Sequence, residues 1–241
     1  GRMAAKASLP QKSDHKKRVV LMRHGESLAQ TSRQHGIDRY HKQFLDCHLS
    51  RKGVHQAREA WHGRRAELPD LIVVSPLTRA LATALLCFGD VGKEIPMICH
   101  PAIKETGTDI PENVARPLSD LRRDSSLTVL KGFEDIDFQL LPEDWPAQQL
   151  AGQVDGRGFS QFIRWLGQRP EQYICVVCHH NVILELASVH GRVRNCAPIE
   201  CSLDGSALKV AEGSGMQGAD YSKAEKAKAS QKDRKSAPKN K

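Results

Sequence analysis

Three short runs of apolar, mostly β-branched residues constrain this chain more than any other feature. They are Arg18-Val-Val-Leu-Met22, Leu71-Ile-Val-Val-Ser75 and Tyr173-Ile-Cys-Val-Val-Cys178. None alternates polar with apolar residues, so each is expected to be a strand covered on both faces. Pro96-Met-Ile-Cys99 and Ala207-Leu-Lys-Val-Ala211 are weaker strand candidates. Helical patterns fall between the runs. Ser50 is placed to cap a helix through Ala57, Ala60 and Trp61. Ser75-Pro76 reads as a cap with proline at the first helical position, followed by a helix over Leu77 to Leu86. Phe159, Phe162, Ile163 and Leu166 share one helical face, as do Val182, Leu186 and Val189. Strands alternating with helices predict an α/β fold, here a three-layer α/β/α sandwich around a largely parallel central sheet. The stretch 101–158 scatters proline and aspartate and is too long for a plain loop. It is expected to form an irregular cap over a site.

Charge bounds the partners. The formal net charge is +8 over 241 residues, which by itself would suggest a nucleic acid or a membrane surface. The excess sits at the two ends. Residues 1–18 carry a net +5 and residues 221–241 a net +6, which leaves the stretch between them at −3. Like-charge blocks at chain ends usually stay solvated. The expected organisation is therefore a basic segment 1–17, a folded domain 18–213 and a basic tail 214–241, with nucleic acid not the expected partner. No apolar run approaches the ~18 residues that would span a bilayer, so membrane insertion is not expected. The seven cysteines are an odd number, and the first 18 residues lack an apolar signal core. Reduced thiols and a cytoplasmic location are the corresponding expectations. Cys175 and Cys178 have CxxC spacing, but three residues apart along a strand they face opposite sides. They are read as core cysteines rather than a redox or zinc pair.

The chemistry collects at strand ends. In an open α/β sheet, ligands bind beyond the carboxyl ends of the strands. The first run leads into Arg23-His24-Gly25-Glu26-Ser27, the second into Ser75-Pro76-Leu77-Thr78-Arg79, and the third into His179-His180-Asn181. Two arginines and several histidines thus converge on one sheet edge, beside helix N-termini that favour anions. Guanidinium forks suit phosphate oxygens. The pattern reads as a phosphate pocket containing imidazoles.

These residues resemble the histidine phosphatase superfamily, in its phosphoglycerate mutase-like branch. Arg23-His24-Gly25-Glu26-Ser27 is similar to its signature. Asp46-Cys-His-Leu-Ser-Arg-Lys-Gly53 with Gln56-Ala57 resembles the segment before its first long helix. Ser75-Pro-Leu-Thr-Arg79-Ala80 with Thr83-Ala84 resembles its second arginine motif, Val176-Val-Cys-His179 its second-histidine motif, and Asn195-Cys-Ala-Pro-Ile its approach to the last strand. RHG alone is a weak tripeptide; ordered motifs on strand ends are specific.

The resemblance implies roles. His24 would be the nucleophile, since a neutral imidazole attacks well near pH 7 and leaves again readily. Arg23, Arg79, His179 and Gln30, with His24 itself, would bind the phosphoryl group. Glu105 matches the acid that protonates the leaving oxygen and then activates water, with Asp109 and Glu112 as rivals. His180 would be a pocket wall. No cofactor or metal is implied, because arginines and imidazoles supply the positive charge a metal would bring. The expected activity is hydrolysis of a small phosphorylated substrate through a phosphohistidine. The alternatives are mutase-type phosphoryl transfer and a non-catalytic phospholigand-binding role. Against the mutase stand Ala29-Gln30, where mutases carry Trp-Asn, and the lack of their acidic, tyrosine-containing cap segment between 101 and 158.

Overall fold

Alternation along a strand that is apolar at every position must produce two cores, one per sheet face. The computed structural model describes residues 16–38, 40–62, 67–91, 94–107, 110–146, 157–205, 207–212 and 214, and it shows this division. The chain runs β1 (Lys17–Arg23), α1 (Leu28–Gln34), α2 (Arg51–Ala60), β2 (Leu71–Val74), α3 (Thr78–Phe88), β3 (Met97–Cys99), α4 (Leu118–Leu121), α5 (Ser125–Thr128), β4 (Ile136–Asp137), α6 (Arg157–Gln168), β5 (Tyr173–Cys178), α7 (His180–Ala187), β6 (Pro198–Asp204) and β7 (Ala207–Val210). The seven-stranded sheet has the order β4-β3-β2-β5-β1-β6-β7. The first five in that order are parallel; at one edge β6 pairs antiparallel with β1, and β7 antiparallel with β6. Val20, Met22, Ile72, Val74, Cys175 and Val177 pack with Ala57, Leu81, Leu85 and Phe88 of α2 and α3. Val19, Leu21, Leu71, Val73, Ile174, Val176 and Cys178 pack with Phe162, Leu166, Val182 and Leu186 of α6 and α7. Cys175 and Cys178 therefore lie in different cores, as their spacing demands. The result is the three-layer sandwich. Among the described residues no helix is long and apolar enough to cross a membrane.

Register positions the site. Arg23 pairs with Cys178 across β1 and β5, and Val74 pairs with Val177 across β2 and β5. The next residues leave the sheet on one edge, His24 level with His179 and Ser75 one residue short of them, opposite Cys178.

Two expectations need correction. The helix after β2 starts at Thr78 with Leu77 in the cap position and no side-chain cap of its own. Ser75 lies two residues before the cap position; its hydroxyl accepts Leu77 N at 3.4 Å and lies 2.7 Å from His179 Nε2. Asp46 supplies the cap from another loop, accepting Thr78 N at 2.8 Å. The stretch 101–158 is also less of a cap than expected. Leu121, Leu127, Phe133, Ile136 and Phe138 are buried in the core beside α3, and β4 extends the sheet next to β3. Among its described residues, those that reach the site lie in its first part, up to about Arg116. Residues 147–156, most of both terminal segments, and Asp109 lie outside the described residues.

Candidate active site

The loop after β1 is held by contacts that only glycine permits. A Cβ on Gly25 would lie 2.5 Å from the carbonyl oxygen of Gly53, and one on Gly53 would lie 2.1 Å from that of Glu26. The two glycines let the strand end touch the first turn of α2. Gly25 N donates to Thr83 Oγ1 of α3 at 3.0 Å, and His24 N to Cys178 O at 3.0 Å. Glu26 anchors the same corner, accepting from Ser50 Oγ at 2.9 Å, Lys52 Nζ at 3.0 Å and Thr31 Oγ1 at 3.1 Å.

This scaffold fixes His24 in one tautomer. Its Nδ1 lies 2.7 Å from Gly25 O. A carbonyl can only accept, so Nδ1 carries the proton and Nε2 keeps its lone pair. Arg79 Nε donates to that Nε2 at 3.2 Å. Burial, with Arg79 and Arg23 close by, holds the His24 pKa well below the ordinary imidazole value. The ring is a neutral, buried nucleophile beside a guanidinium.

Arg79 is almost fully buried at 2 % exposure, although it sits in the first turn of a helix. One guanidinium nitrogen donates to Glu112 O and the other to Asn113 Oδ1 at 3.0 Å. Asn113 Nδ2 in turn donates to Thr106 O at 2.7 Å and Gly107 O at 3.1 Å. Lys104 Nζ spans the same turn, to Glu105 O at 2.9 Å and Asn113 O at 3.0 Å. Burial lowers its pKa to about 8. Glu105 is therefore tied to Arg79 through the chain that carries it. The Glu105 carboxylate accepts Thr106 N at 2.9 Å and Asn181 N at 3.4 Å. Burial nevertheless raises its pKa, against the pull of these N–H groups and of Arg79.

The other expected residues fall as follows. Arg23 is pinned by Val193 O at 2.9 Å, its Nε has no partner among the described residues, and burial lowers its pKa to about 10. His179 is fully buried behind His24, with ring centroids 5.1 Å apart. It does not line the cavity. Burial and the arginines lower its pKa too, and its Nδ1 has no partner among the described residues. Gln30 lines the cavity, but its oxygen is committed to Ser27 N at 2.9 Å in a capping box. Only its Nε2 is left for an anion. The Glu112 carboxylate meets Arg33 at 3.3 Å. His180 is a wall residue. These groups surround a cavity of about 220 Å³. A cavity of about 340 Å³ between α2 and α3 lies away from the strand ends and holds none of them.

Sequence reading missed Arg33 and Asn113 on the cavity wall, and the buried Asp46. Asp46 has a left-handed φ of 40°, a conformation that aspartate tolerates better than most residues. Its carboxylate takes Thr78 N, Thr78 Oγ1 at 2.6 Å and Arg116 Nε at 3.1 Å. It thereby sets the start of the helix that carries Arg79. No local pattern marks these residues, since each works through a partner distant in sequence.

Comparison with known proteins agrees with this geometry. Residues 19–193 match the family model of the histidine phosphatase superfamily, branch 1. A phosphoglycerate mutase-like protein of Arabidopsis thaliana is 28% identical over 210 residues, covering 73% of this chain and 75% of its own length. Among solved structures, the alpha-ribazole phosphatase of Shigella flexneri superposes with a TM-score of 0.51 at 21% identity, over 80% of this chain and 94% of its own. A mycobacterial glucosyl-3-phosphoglycerate phosphatase superposes with a TM-score of 0.50 at 19% identity, over 81% and 96%. These two share the fold. The family match runs from β1 past His179 and so takes in the histidine and arginine motifs at all three strand ends: the chain belongs to the histidine phosphatase superfamily, branch 1.

Proposed function

We propose that the protein hydrolyses phosphomonoesters through a phosphohistidine on His24. The observation that carries this reading is the tautomer: Nδ1–H is spent on Gly25 O, and the Nε2 lone pair faces a guanidinium in a polar cavity. When a phosphoryl group enters, the Arg79 Nε–H that now occupies the lone pair turns to a phosphoryl oxygen. Arg23 contributes its unpartnered Nε–H. The Nε2–P bond forms as the bond from phosphorus to the ester oxygen breaks. Charge spreads over the equatorial oxygens, where the arginines meet it. Glu105, whose pKa burial raises, passes a proton to the leaving oxygen. It then takes a proton from the water that attacks phosphorus and releases His24. His179 acts from behind as a neutral ring that holds Ser75 and backs the nucleophile. Hydrolysis is preferred to transfer because Ala29-Gln30 stand where mutases carry Trp-Asn.

Rapid acid-free quenching after mixing with a ³²P-labelled ester tests this. Label on the protein should be acid-labile and base-stable, and absent from His24→Ala. Acid-stable label, or label that persists in the variant, overturns the reading.

A further inference from the structure

The cavity does not end at the phosphoryl position. Past Arg23 and His180 it continues into a second hollow of about 440 Å³. Arg23, Gln30, Arg33 and His180 border both spaces, and Gln34 and Arg192 complete the second. The two spaces differ in charge. Glu105 and Glu112 line the first, whereas among the described residues no carboxylate lines the second. Three guanidinium groups do.

They are held to different degrees. Arg23 is fixed by Val193. Arg33 is partly tied, by Nε to Ala29 O at 3.3 Å and by its fork to Glu112 at 3.3 Å, with its side chain 37% exposed. Arg192 is exposed at the far side. Gln34 leans at 3.5 Å toward Glu26, whose charge Lys52 already matches at 3.0 Å. His180 Nδ1 is buried with no partner among the described residues. Buried polar atoms are rarely left so, and here the atom belongs to the wall between the two spaces. Burial, Arg23 and Arg192 lower the pKa of that ring below the ordinary imidazole value. A neutral hydroxyl in this hollow would accept a single hydrogen bond from Arg33 or Arg192, without the charge pairing. An anion there would meet two forks suited to oxygen pairs.

We propose that the second hollow binds a second anionic group, carboxylate or phosphate, on the alcohol portion of the substrate, with Arg192 and Arg33 as the specificity-determining residues. This rests on the phosphomonoesterase reading and narrows its substrate class to esters that carry another acid group.

The test uses the full chain and three ester series of three to six carbons: n-alkyl phosphates, ω-carboxyalkyl phosphates and α,ω-diol bisphosphates. At the matching chain length, kcat/KM for the second-anion ester should exceed that of its n-alkyl partner roughly 10- to 100-fold, mostly through KM. The carboxylate and bisphosphate arms identify which anion fits. In Arg192→Ala and in Arg33→Gln that ratio should fall toward one. Arg192→Lys should restore part of it, since a point charge remains but the fork is lost. A ratio near one at every length in the parent protein overturns the subsite while leaving the hydrolase standing. So does an equal loss on all three series in both variants, which would mark the arginines as general attractors of anions. If no ester is turned over and none labels His24, the hydrolase reading fails. Calorimetric titration with the bisphosphates against the n-alkyl phosphates then decides the subsite on binding alone: tighter binding of the bisphosphates that Arg192→Ala abolishes supports it, and equal binding overturns it.

Discussion

The floor of the cavity and its acid-bearing wall are built by different means. The floor is the end of three parallel strands. His24 and His179 leave β1 and β5 at matched register, Ser75 leaves β2 one residue short of them, and backbone ladders set their heights. The wall, roughly residues 101–107 and 110–116, has no ladder among these described residues. It is a series of tight turns, among them 3₁₀ turns at Pro101–Ile103 and Pro111–Asn113. Its shape comes from individual side chains: Lys104 bonds to two main-chain carbonyls, Asn113 to two more, and Arg116 to the Asp46 carboxylate. A ladder repeats the same bond many times and tolerates the loss of one. A turn held by two or three side chains does not. The nucleophile is thus fixed by topology, and the acid by individual residues. One residue joins them, since Asn113 holds Arg79 with its oxygen and the acid turn with its nitrogen.

The largest effect that separates wall from floor should come from Glu105→Gln. It keeps shape and removes the proton. With an alkyl phosphate, turnover should fall by roughly 10²- to 10⁴-fold. With an aryl phosphate bearing a good leaving group, the first product should still appear as a burst before a slow phase. Glu112→Gln should show no dependence on the leaving group, because its carboxylate serves Arg33. The reverse pattern would move the acid to Glu112.

A smaller loss, with a different signature, is expected of Asn113→Ala. Misplacing Arg79 should slow alkyl and aryl esters alike, by about 10²-fold at most. Leaving Thr106 O, Gly107 O and a guanidinium N–H unpaired should cost about 1–3 kcal/mol of stability, read from denaturant unfolding. If only the alkyl esters suffer, Asn113 supports the acid turn and not Arg79, and the two regions are less coupled than their hydrogen bonds indicate.

The smallest effect concerns pH. His24 and His179 have folded pKa values well below the ordinary 6.5. The unfolded chain therefore binds more protons than the folded one below pH 6.5, and stability is lost as pH falls from there toward the folded values. Glu105 works in the opposite sense: its raised pKa gives stability that is full below its unfolded value and is lost as pH rises through the folded one. Thermal midpoints between pH 6.5 and 5 should fall in the parent protein by a few degrees, at about 2–4 °C per kcal/mol. The fall should be shallower in His179→Gln. An equal slope in that variant would place the proton uptake on other groups.

Much of the floor could be read from residue order alone. An apolar strand that ends in Arg23-His24-Gly25 states its own position, because β-branched runs buried on both faces can only be central strands and their next residues must emerge at the sheet edge. The helix starts were legible where the cap is local, as at Ser50, which accepts Gly53 N at 3.1 Å. They were not where the cap is remote, as at Thr78. The stretch after Pro101 read as one irregular cap, yet Phe133 and Phe138 are core residues. Their spacing follows no period, because short turns rather than a helix or strand present them.

The sequence by itself determined the layered α/β fold, the order of its motifs and the convergence of His24, Arg79 and His179, since strand and helix periodicity act over neighbouring residues. Only the tertiary structure decided that Asp46 starts the helix of Arg79, that Asn113 clamps Arg79 to the acid turn, and that Arg33 and Arg192 face one hollow. Those pairings join residues 32, 34 and 159 positions apart, and a contact at that separation exists only once the sheet has brought its partners together.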